Sequence, residues 1–320
     1  MCGVPVQQQL TLPGLALGCW PLAGMTRPGV TRQAAIETVA AAIDHGITHL
    51  DTAYCYGEHG ESEKAIAQAT QGRQNEVTIA SKCGIHWQAG KKQTVDGRPE
   101  TIIREAKESL LRLQADTIDL LYLHTPDPKI PIKESAGALR RLLDEGVVRA
   151  VGLSNGNVEE CKLFAETCPL TACQRHFNML QQEIRPTLLP YCKSEQIAMV
   201  TYWPLIKGLL TGRMERNQVF LKTDSRHKYL MFHGEEFQKN LDFVDTIRSL
   251  ATQQNMDLVS LVLAWTIAQE GITTVLFGAT SAKQVATNAQ ALNCRLDVSI
   301  IHAINDAIQQ RGLVLGSRKV

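Results

Sequence analysis

The chain has 320 residues, of which 44% are apolar, enough for the core of one large α/β domain or of two smaller domains. Its 33 basic and 32 acidic residues leave a net charge near +1, so no field of one sign favours nucleic acid or a membrane surface as a partner. No apolar run approaches the roughly 20 residues that span a bilayer, and the first residues lack the basic and apolar segments of a secretion signal.

The nine cysteines are scattered through the chain without a Cys-x-x-Cys pair, so we expect neither a bound metal nor a redox pair. Reduced cysteines of this kind are typical of a cytoplasmic enzyme, which is the location we predict. Cys55 and Cys83 adjoin residues that are candidates for the functional site. We interpret both as small residues that fill space in the core.

The predicted elements alternate along the chain between apolar, strand-like segments and amphipathic, helix-like segments. A short β-hairpin over residues 6–10 and 12–17, broken at Pro13-Gly14, is predicted ahead of the main fold. The predicted strands begin near residues 15, 47, 77, 118, 147, 171, 197 and 274. The predicted helices cover residues 31–45, 62–71, 99–113, 132–145, 158–166, 185–195, 236–253, 258–270, 283–292 and 298–311.

Eight strands alternating with helices are the count of a (β/α)8 barrel, or TIM barrel, a fold of the α/β class. A doubly wound sheet is the alternative, but it requires a Gly-x-Gly-x-x-Gly turn after the first strand, and the sequence has none there. Because no linker interrupts the pattern, we expect residues 1–320 to form a single barrel domain with extra C-terminal helices. The charged segment 207–236 is predicted to be a lid-like insertion, and residues 85–92 a loop over the barrel mouth.

Polar residues stand where three of the predicted strands end. Asp51, Lys82 and His124 follow successive strands, and Tyr56 comes five residues after the first of them. The C-terminal ends of the strands of a parallel barrel surround one mouth, so these side chains are predicted to converge there.

The four side chains together suit the protonation of a carbonyl oxygen. A tyrosine titrates near pH 10, and the Lys82 ammonium is expected to lower the pKa of Tyr56, with Asp51 as the counter-ion that keeps the lysine charged. His124 is expected to donate a hydrogen bond that orients the carbonyl group. None of these side chains is a hydride source, so reduction of the carbonyl requires a reduced nicotinamide. Each residue alone has an ordinary structural explanation, and the prediction depends on their agreement.

Several motifs resemble the signatures of the aldo-keto reductase superfamily. They are Asp-Thr-Ala-Tyr-Cys-Tyr-Gly at 51–57 with Glu-Ser-Glu at 61–63, Ile-Asp-Leu-Leu-Tyr-Leu-His at 118–124, Val-Gly-Leu-Ser-Asn at 151–155, Tyr-Trp-Pro-Leu at 202–205 and Gly-Ala-Thr at 278–280. They occur in the family's order from residue 15 to about 292. The resemblance implies that Asp51, Tyr56, Lys82 and His124 are the catalytic tetrad of an NAD(P)H-dependent reductase. Its substrate would be a small aldehyde or ketone, reduced to an alcohol with Tyr56 as the general acid.

The resemblance also implies that the cofactor is NADP(H), or NAD(H) as a second possibility, bound extended across the barrel mouth. Ser154, Asn155 and Gln174 would hold the carboxamide, and Tyr202 would stack on the nicotinamide ring. The remaining cofactor residues implied are Pro204, Leu205, Lys207, Gly208, Leu209 and Arg213 at the pyrophosphate, Gly278, Thr280 and Ser281 at the 2′-phosphate, and Gln284 and Asn288 at the adenine.

Two positions depart from the family pattern. Ser281 stands where many relatives carry an arginine beside the 2′-phosphate, which weakens the preference for NADP, although Lys283 is close in the sequence. Trp203 stands where the family pattern has a small serine, between Tyr202 and Pro204. We expect Trp20 and Trp87 to line the substrate pocket, with a surface-anchoring role equally open for Trp87.

Two other functions remain open at this stage. Lys82 could form a Schiff base in a barrel aldolase, although pairing with Asp51 favours its charged form. The chain could also be a nicotinamide-binding redox sensor of the same fold, similar to potassium-channel β subunits. The sequence predicts no oligomeric state.

Overall fold

Ten strands form within residues 10–26, 29–89 and 92–314, which are the residues that the computed structural model describes. They are β1 (Leu15–Gly18), β2 (His49–Asp51), β3 (Thr78–Cys83), β4 (Ile85–Gln88), β5 (Lys92–Val95), β6 (Leu120–Leu123), β7 (Val151–Ser154), β8 (Ala172–His176), β9 (Ala198–Tyr202) and β10 (Thr274–Gly278). All except β4 and β5 run parallel and close into a barrel in chain order, with β10 beside β1. The predicted barrel and the positions of its eight strands are confirmed.

The α-helices lie between the strands and cover the outside of the barrel. They are α1 (Arg32–Asp44), α2 (Glu61–Ala69), α3 (Pro99–Leu113), α4 (Ile132–Asp144), α5 (Val158–Ala165), α6 (Leu188–Ser194), α7 (Gly234–Gln253), α8 (Leu258–Ile267), α9 (Ala282–Ala289) and α10 (Val298–Arg311). The predicted start of α6 at Arg185 is wrong by three residues, because Pro186 disfavours helical backbone in the residue before it. None of the helices in the described part of the chain is long and apolar enough to cross a membrane.

Two local predictions differ from the structure. Residues 10–14 form no strand, and Leu15–Gly18 pairs in parallel with β2 and β10, so the second arm of the N-terminal hairpin is part of the barrel instead. Apart from Leu10, the predicted first arm lies outside the described residues. The segment at 85–92 is not a plain loop, because β4 and β5 form an antiparallel hairpin.

Inward-facing and outward-facing residues alternate along the strands, as a barrel requires. Outward residues such as Leu17 and Leu50 pack against the helices. The inward cluster consists of Ala16, Ala80, Leu120, Tyr122, Ala150, Ala172, Val200 and Leu276. Four of these eight residues are alanines, and this leaves room inside the barrel for larger side chains.

The segment predicted as a lid contains three short 3₁₀ helices, Ile206–Thr211, Ser225–Lys228 and Leu230–Phe232. Phe220 and Phe232 of this segment are buried, and the amide of Ser225 donates to the carbonyl of Thr26 at 3.2 Å. The segment is therefore packed against the barrel in this conformation. Whether it acts as a lid stays a prediction.

Replacement of Gly152 by alanine is expected to destabilise the protein by about 1–3 kcal/mol, the usual range for overpacking a core. An added Cβ would lie 2.3 Å from Cδ1 of Tyr122 and 2.9 Å from the carbonyl oxygen of Ala172. The control is Gly137→Ala inside α4, where an added Cβ has no neighbour within 4 Å. That change is expected to stabilise by up to about 1 kcal/mol. Urea unfolding of both variants measures the difference, and equal midpoints would contradict the packing argument.

Candidate active site

A buried ion pair lies at the mouth of the barrel, where β2 and β3 end. Lys82 Nζ is 2.5 Å from Asp51 Oδ1 and donates a second hydrogen bond to the carbonyl of Thr52 at 2.7 Å. The side chains are 1% and 2% exposed, respectively. Parallel pairing places Asp51 opposite Ala80, one inward position before Lys82, and this register brings the two charges together.

The Tyr56 ring lies beside the ammonium and is flanked by two further aromatic rings. The Tyr56 ring centroid is 5.0 Å from Lys82 Nζ, 5.9 Å from the His124 ring and 5.1 Å from the Trp20 ring. Tyr56 is 7% exposed. The four residues predicted from separate strand ends and loops are therefore close together in the folded chain.

The electrostatics of Tyr56 differ from the sequence-based expectation. Burial, and after it the negative charge of Asp51, raise the pKa of Tyr56 well above its usual value. The prediction of a lowered pKa is wrong for this conformation, because burial of the phenol, and after it the nearby charge of Asp51, disfavour the phenolate. Tyr56 is thus a fully protonated phenol at neutral pH.

His124 is neutral at physiological pH. Desolvation of the ring, followed by the charge of Lys82, lowers the pKa of His124 well below its usual value. The Cys55 thiol lies 3.6 Å from His124 Nδ1, and burial raises the pKa of Cys55 to about 12. Cys55 is therefore a neutral thiol, consistent with our interpretation of it as a space-filling residue.

The residues predicted to hold the nicotinamide carboxamide lie at the end of β7 and within β8. Asn155, in a left-handed conformation with φ 63°, donates to the carbonyl of His124 at 3.0 Å and accepts from Tyr202 Oη at 2.7 Å. Gln174 donates to Asp51 Oδ2 at 2.7 Å. This last contact makes Gln174 part of the support of the ion pair, a role that the sequence did not indicate.

The turn after β9 is strained. Trp203, Ile206 and Lys207 all have positive φ, at 63°, 46° and 49°, a conformation that costs free energy in residues with a Cβ and that tends to occur at functional sites. Lys207 Nζ lies 4.5 Å from the centroid of the Trp203 ring and 5.4 Å from that of Trp20. The predicted pyrophosphate turn therefore contacts the predicted substrate pocket.

The residues predicted at the adenosine end are at the start of α9. Ser281 is the N-cap and accepts from the amide of Gln284, whose Oε1 accepts from the amide of Thr280 at 2.7 Å. Hydroxyl groups and amides at a helix N-terminus are a suitable donor set for a phosphate group. Asn288 is buried on the same helix, and Arg213 is exposed on the segment after β9.

The wall beside Tyr56 contains both predicted pocket tryptophans. Trp20 and Trp87 pack against the small cluster formed by Ala53, Cys55 and Tyr56. Trp87 on β4 donates from Nε1 to the carbonyl of Cys55 at 2.9 Å, which ties the hairpin to the residue before Tyr56. Within the described residues, no cluster of His, Cys, Asp and Glu side chains could hold a metal ion.

A model of the aldo/keto reductase family matches residues 14–309. The chain belongs to this family. The aldo-keto reductase YhdN of Bacillus subtilis is 34% identical over 274 residues, which is 85% of this chain and 82% of the relative. The NADH-specific methylglyoxal reductase of Escherichia coli is 30% identical over 94% of this chain and 97% of its own.

Solved structures agree with this assignment. The glycerol dehydrogenase of Gluconobacter oxydans aligns with a TM-score of 0.88 at 32% identity and covers 96% of this chain and 95% of its own. An aldo/keto reductase from Klebsiella pneumoniae, solved with NADP and acetate, aligns with a TM-score of 0.72 at 26% identity over 94% and 93%. The family and the enzyme class predicted from the sequence are confirmed.

Removal of the buried carboxylate by Asp51→Ala is expected to destabilise the protein by about 3–5 kcal/mol, because the Lys82 ammonium is left buried without its counter-ion. The control is Asp144→Ala, which breaks the Arg140–Asp144 pair of 2.8 Å on the surface, where Asp144 is 56% exposed. That loss is expected to be about 0.5 kcal/mol or less. Urea unfolding measures both, and a restored midpoint in Asp51→Ala/Lys82→Met identifies the unpaired charge as the cause.

Proposed function

We propose that the protein reduces an aldehyde or ketone to an alcohol, with NADP(H) as the hydride donor and Tyr56 as the general acid. The observation that carries this proposal is the proximity of Tyr56 to the buried Lys82–Asp51 pair and to His124 at one end of the barrel. No side chain in this group supplies a hydride, and a reduced nicotinamide supplies it when bound.

The side chains have separate tasks in this proposal. A neutral His124 can donate an N–H to the carbonyl oxygen and orient it. Tyr56 then transfers its proton to the oxygen as negative charge develops there. The raised pKa of Tyr56 does not prevent this step, since a developing alkoxide is a much stronger base than a phenolate. The Lys82 ammonium, 5.0 Å from the Tyr56 ring, stabilises the phenolate that remains.

The cofactor residues predicted from the sequence lie on or after four neighbouring strands of the barrel, β7 to β10, and this supports their proposed role. Ser154, Asn155 and the carbonyl oxygen of Gln174 offer donors and acceptors to a carboxamide, and Tyr202 offers a flat ring. The strained turn that contains Lys207 and Gly208, with Arg213 beyond it, is proposed to hold the pyrophosphate. The start of α9 is proposed to hold the 2′-phosphate and adenine through Gly278, Thr280, Ser281, Gln284 and Asn288.

The choice between the two nicotinamide cofactors depends on the start of α9. Among relatives, one from Escherichia coli is named as NADH-specific and one from Schizosaccharomyces pombe as an NADP(+) enzyme. We propose NADP(H) here, with NAD(H) as a second possibility, because Thr280, Ser281 and Lys283 together offer hydroxyl groups and one cation to a phosphate.

The ion pair also argues against a barrel aldolase. A Schiff-base lysine must be neutral to attack a carbonyl carbon. Lys82 lies 2.5 Å from Asp51 and also donates to the carbonyl of Thr52, two contacts that favour its charged form. Lys82 therefore suits electrostatic stabilisation better than covalent catalysis.

The Tyr56→Phe variant is expected to lower kcat for aldehyde reduction by roughly 10²–10⁴, the usual value of a general acid. It should bind NADPH as well as the wild type, because the phenyl ring keeps the packing. Steady-state absorbance and NADPH fluorescence titration measure the two effects. Tyr54→Phe is the matched control, since Tyr54 Oη donates to Glu108 on α3, away from the mouth. Wild-type turnover in Tyr56→Phe would refute the proposed acid.

The two directions of the reaction are expected to differ in their pH dependence. A pKa raised above the usual value keeps Tyr56 protonated, so reduction should be flat between about pH 6 and 8. Alcohol oxidation requires the phenolate as a base, and its rate should therefore increase with pH up to at least pH 10. Initial rates of kcat/KM over this range measure both profiles, and an oxidation rate that levels off below pH 8 would contradict the raised pKa.

A further inference from the structure

A second buried tyrosine lies inside the barrel, next to the ion pair, and the mechanism above does not use it. Tyr122 on β6 is 0% exposed and pairs in register with Lys82 on β3. Lys82 Nζ is 5.9 Å from the centroid of the Tyr122 ring and 5.0 Å from that of Tyr56. The ammonium is therefore close to two phenol rings, one at the mouth and one in the barrel interior.

The neighbouring strand is built to accept the Tyr122 ring. Gly152 on β7 pairs with Tyr122, and an added Cβ at Gly152 would lie 2.3 and 2.4 Å from two of its ring carbons. Ala150 and Ala172 are further small residues of the same inward cluster. This arrangement leaves the ring little freedom to move away from Lys82.

The ring is suited to support a cation. Burial, and then the charge of Asp51, raise the pKa of Tyr122 well above its usual value, so the side chain is a neutral phenol. The face of a neutral aromatic ring attracts an ammonium within about 6 Å. The Tyr122 hydroxyl is enclosed, and its polar neighbour is Gln174, which donates to Asp51 and not to Lys82. The ring, rather than the hydroxyl group, is the part that acts on Lys82.

We propose that Tyr122 is a positioning residue for Lys82, whose ring holds the ammonium in place beside Tyr56. Asp51 and the carbonyl of Thr52 hold the ammonium through polar contacts, and the ring occupies the space from which water could otherwise reach it. This inference rests on the proposed roles of Tyr56 and Lys82. It adds that part of the electrostatics of the site is set from inside the barrel.

The test compares Tyr122→Leu with Tyr122→Phe in NADPH-dependent aldehyde reduction at pH 7. Tyr122→Leu removes the ring and is expected to lower kcat at pH 7 about tenfold, the equivalent of one pKa unit. Its KM and its Kd for NADPH should change less than about threefold, because Tyr122 is fully enclosed in the barrel. A loss in kcat without a matching change in KM separates the positioning of Lys82 from a loss of binding. Tyr122→Phe keeps the ring and should remain within about threefold of the wild type.

Leu120→Ala is the matched control for damage to the core. Leu120 is on β6 as well, one inward position below Tyr122, and is equally buried. The Leu120→Ala variant should lose thermal stability to an extent comparable to Tyr122→Leu and keep a kcat within about threefold of the wild type. If Tyr122→Leu does not fold, as judged by circular dichroism and NADPH titration, Tyr122→Met fills more of the space and takes its place.

Three outcomes would overturn the inference: a wild-type kcat in the folded Tyr122→Leu or Tyr122→Met variant, a loss of kcat in Tyr122→Phe as large as in Tyr122→Leu, or an equal loss of kcat in Leu120→Ala. Failure of the proposed function is distinguishable, because it would appear as absent turnover in the wild type or as full turnover in Tyr56→Phe.

Discussion

The Lys82–Asp51 ion pair is the constraint on which the rest of the site depends. Two charges at 1% and 2% exposure are costly to bury and persist only when their remaining hydrogen-bonding capacity is satisfied. The carbonyl of Thr52 accepts from Lys82, and the amide of Gln174 donates to the second oxygen of Asp51, so β8 contributes to a pair formed by β2 and β3. Residues from distant parts of the chain must therefore meet before the pair is stable, which makes the geometry at the mouth a consequence of barrel closure.

The two sides of the site differ in backbone conformation. Asp51, Lys82 and Gln174 are on regular strands, whose pairing fixes their positions. The side predicted to contact the cofactor is a turn with positive φ at Trp203, Ile206 and Lys207, and such strain persists only where the surroundings hold it. The rings of Trp203 and Trp20 around the Lys207 ammonium supply part of that support. Regular strands on one side and a strained turn on the other match the division between proposed catalytic residues and proposed cofactor residues.

The sequence was most informative where an apolar strand ends in a polar residue. Asp51, Lys82 and His124 were predicted to lie together on that basis, and the barrel brings them together. The sequence did not reveal that the pKa of Tyr56 is raised. The direction of this shift depends on burial and on the position of Asp51, which residue spacing alone does not give. The β4–β5 hairpin was missed although Ile85 and Trp87 alternate with His86 and Gln88, a weak strand signal in so short a segment. Nothing in the sequence indicated that Gln174 would donate a hydrogen bond to Asp51.

The raised pKa of Tyr56 changes what the ion pair has to do. A lysine that acidified the phenol in the free protein would also increase the phenolate population before any substrate is bound. In the proposed mechanism, burial and Asp51 instead keep the proton on Tyr56 until a stronger base forms beside it. The proposed task of the ammonium is to stabilise the charge left behind, in a water-poor environment where each electrostatic contact is stronger than in bulk solvent. On this view the acid strength of Tyr56 is a property of the reacting complex, and the barrel supplies the fixed charges that stabilise it.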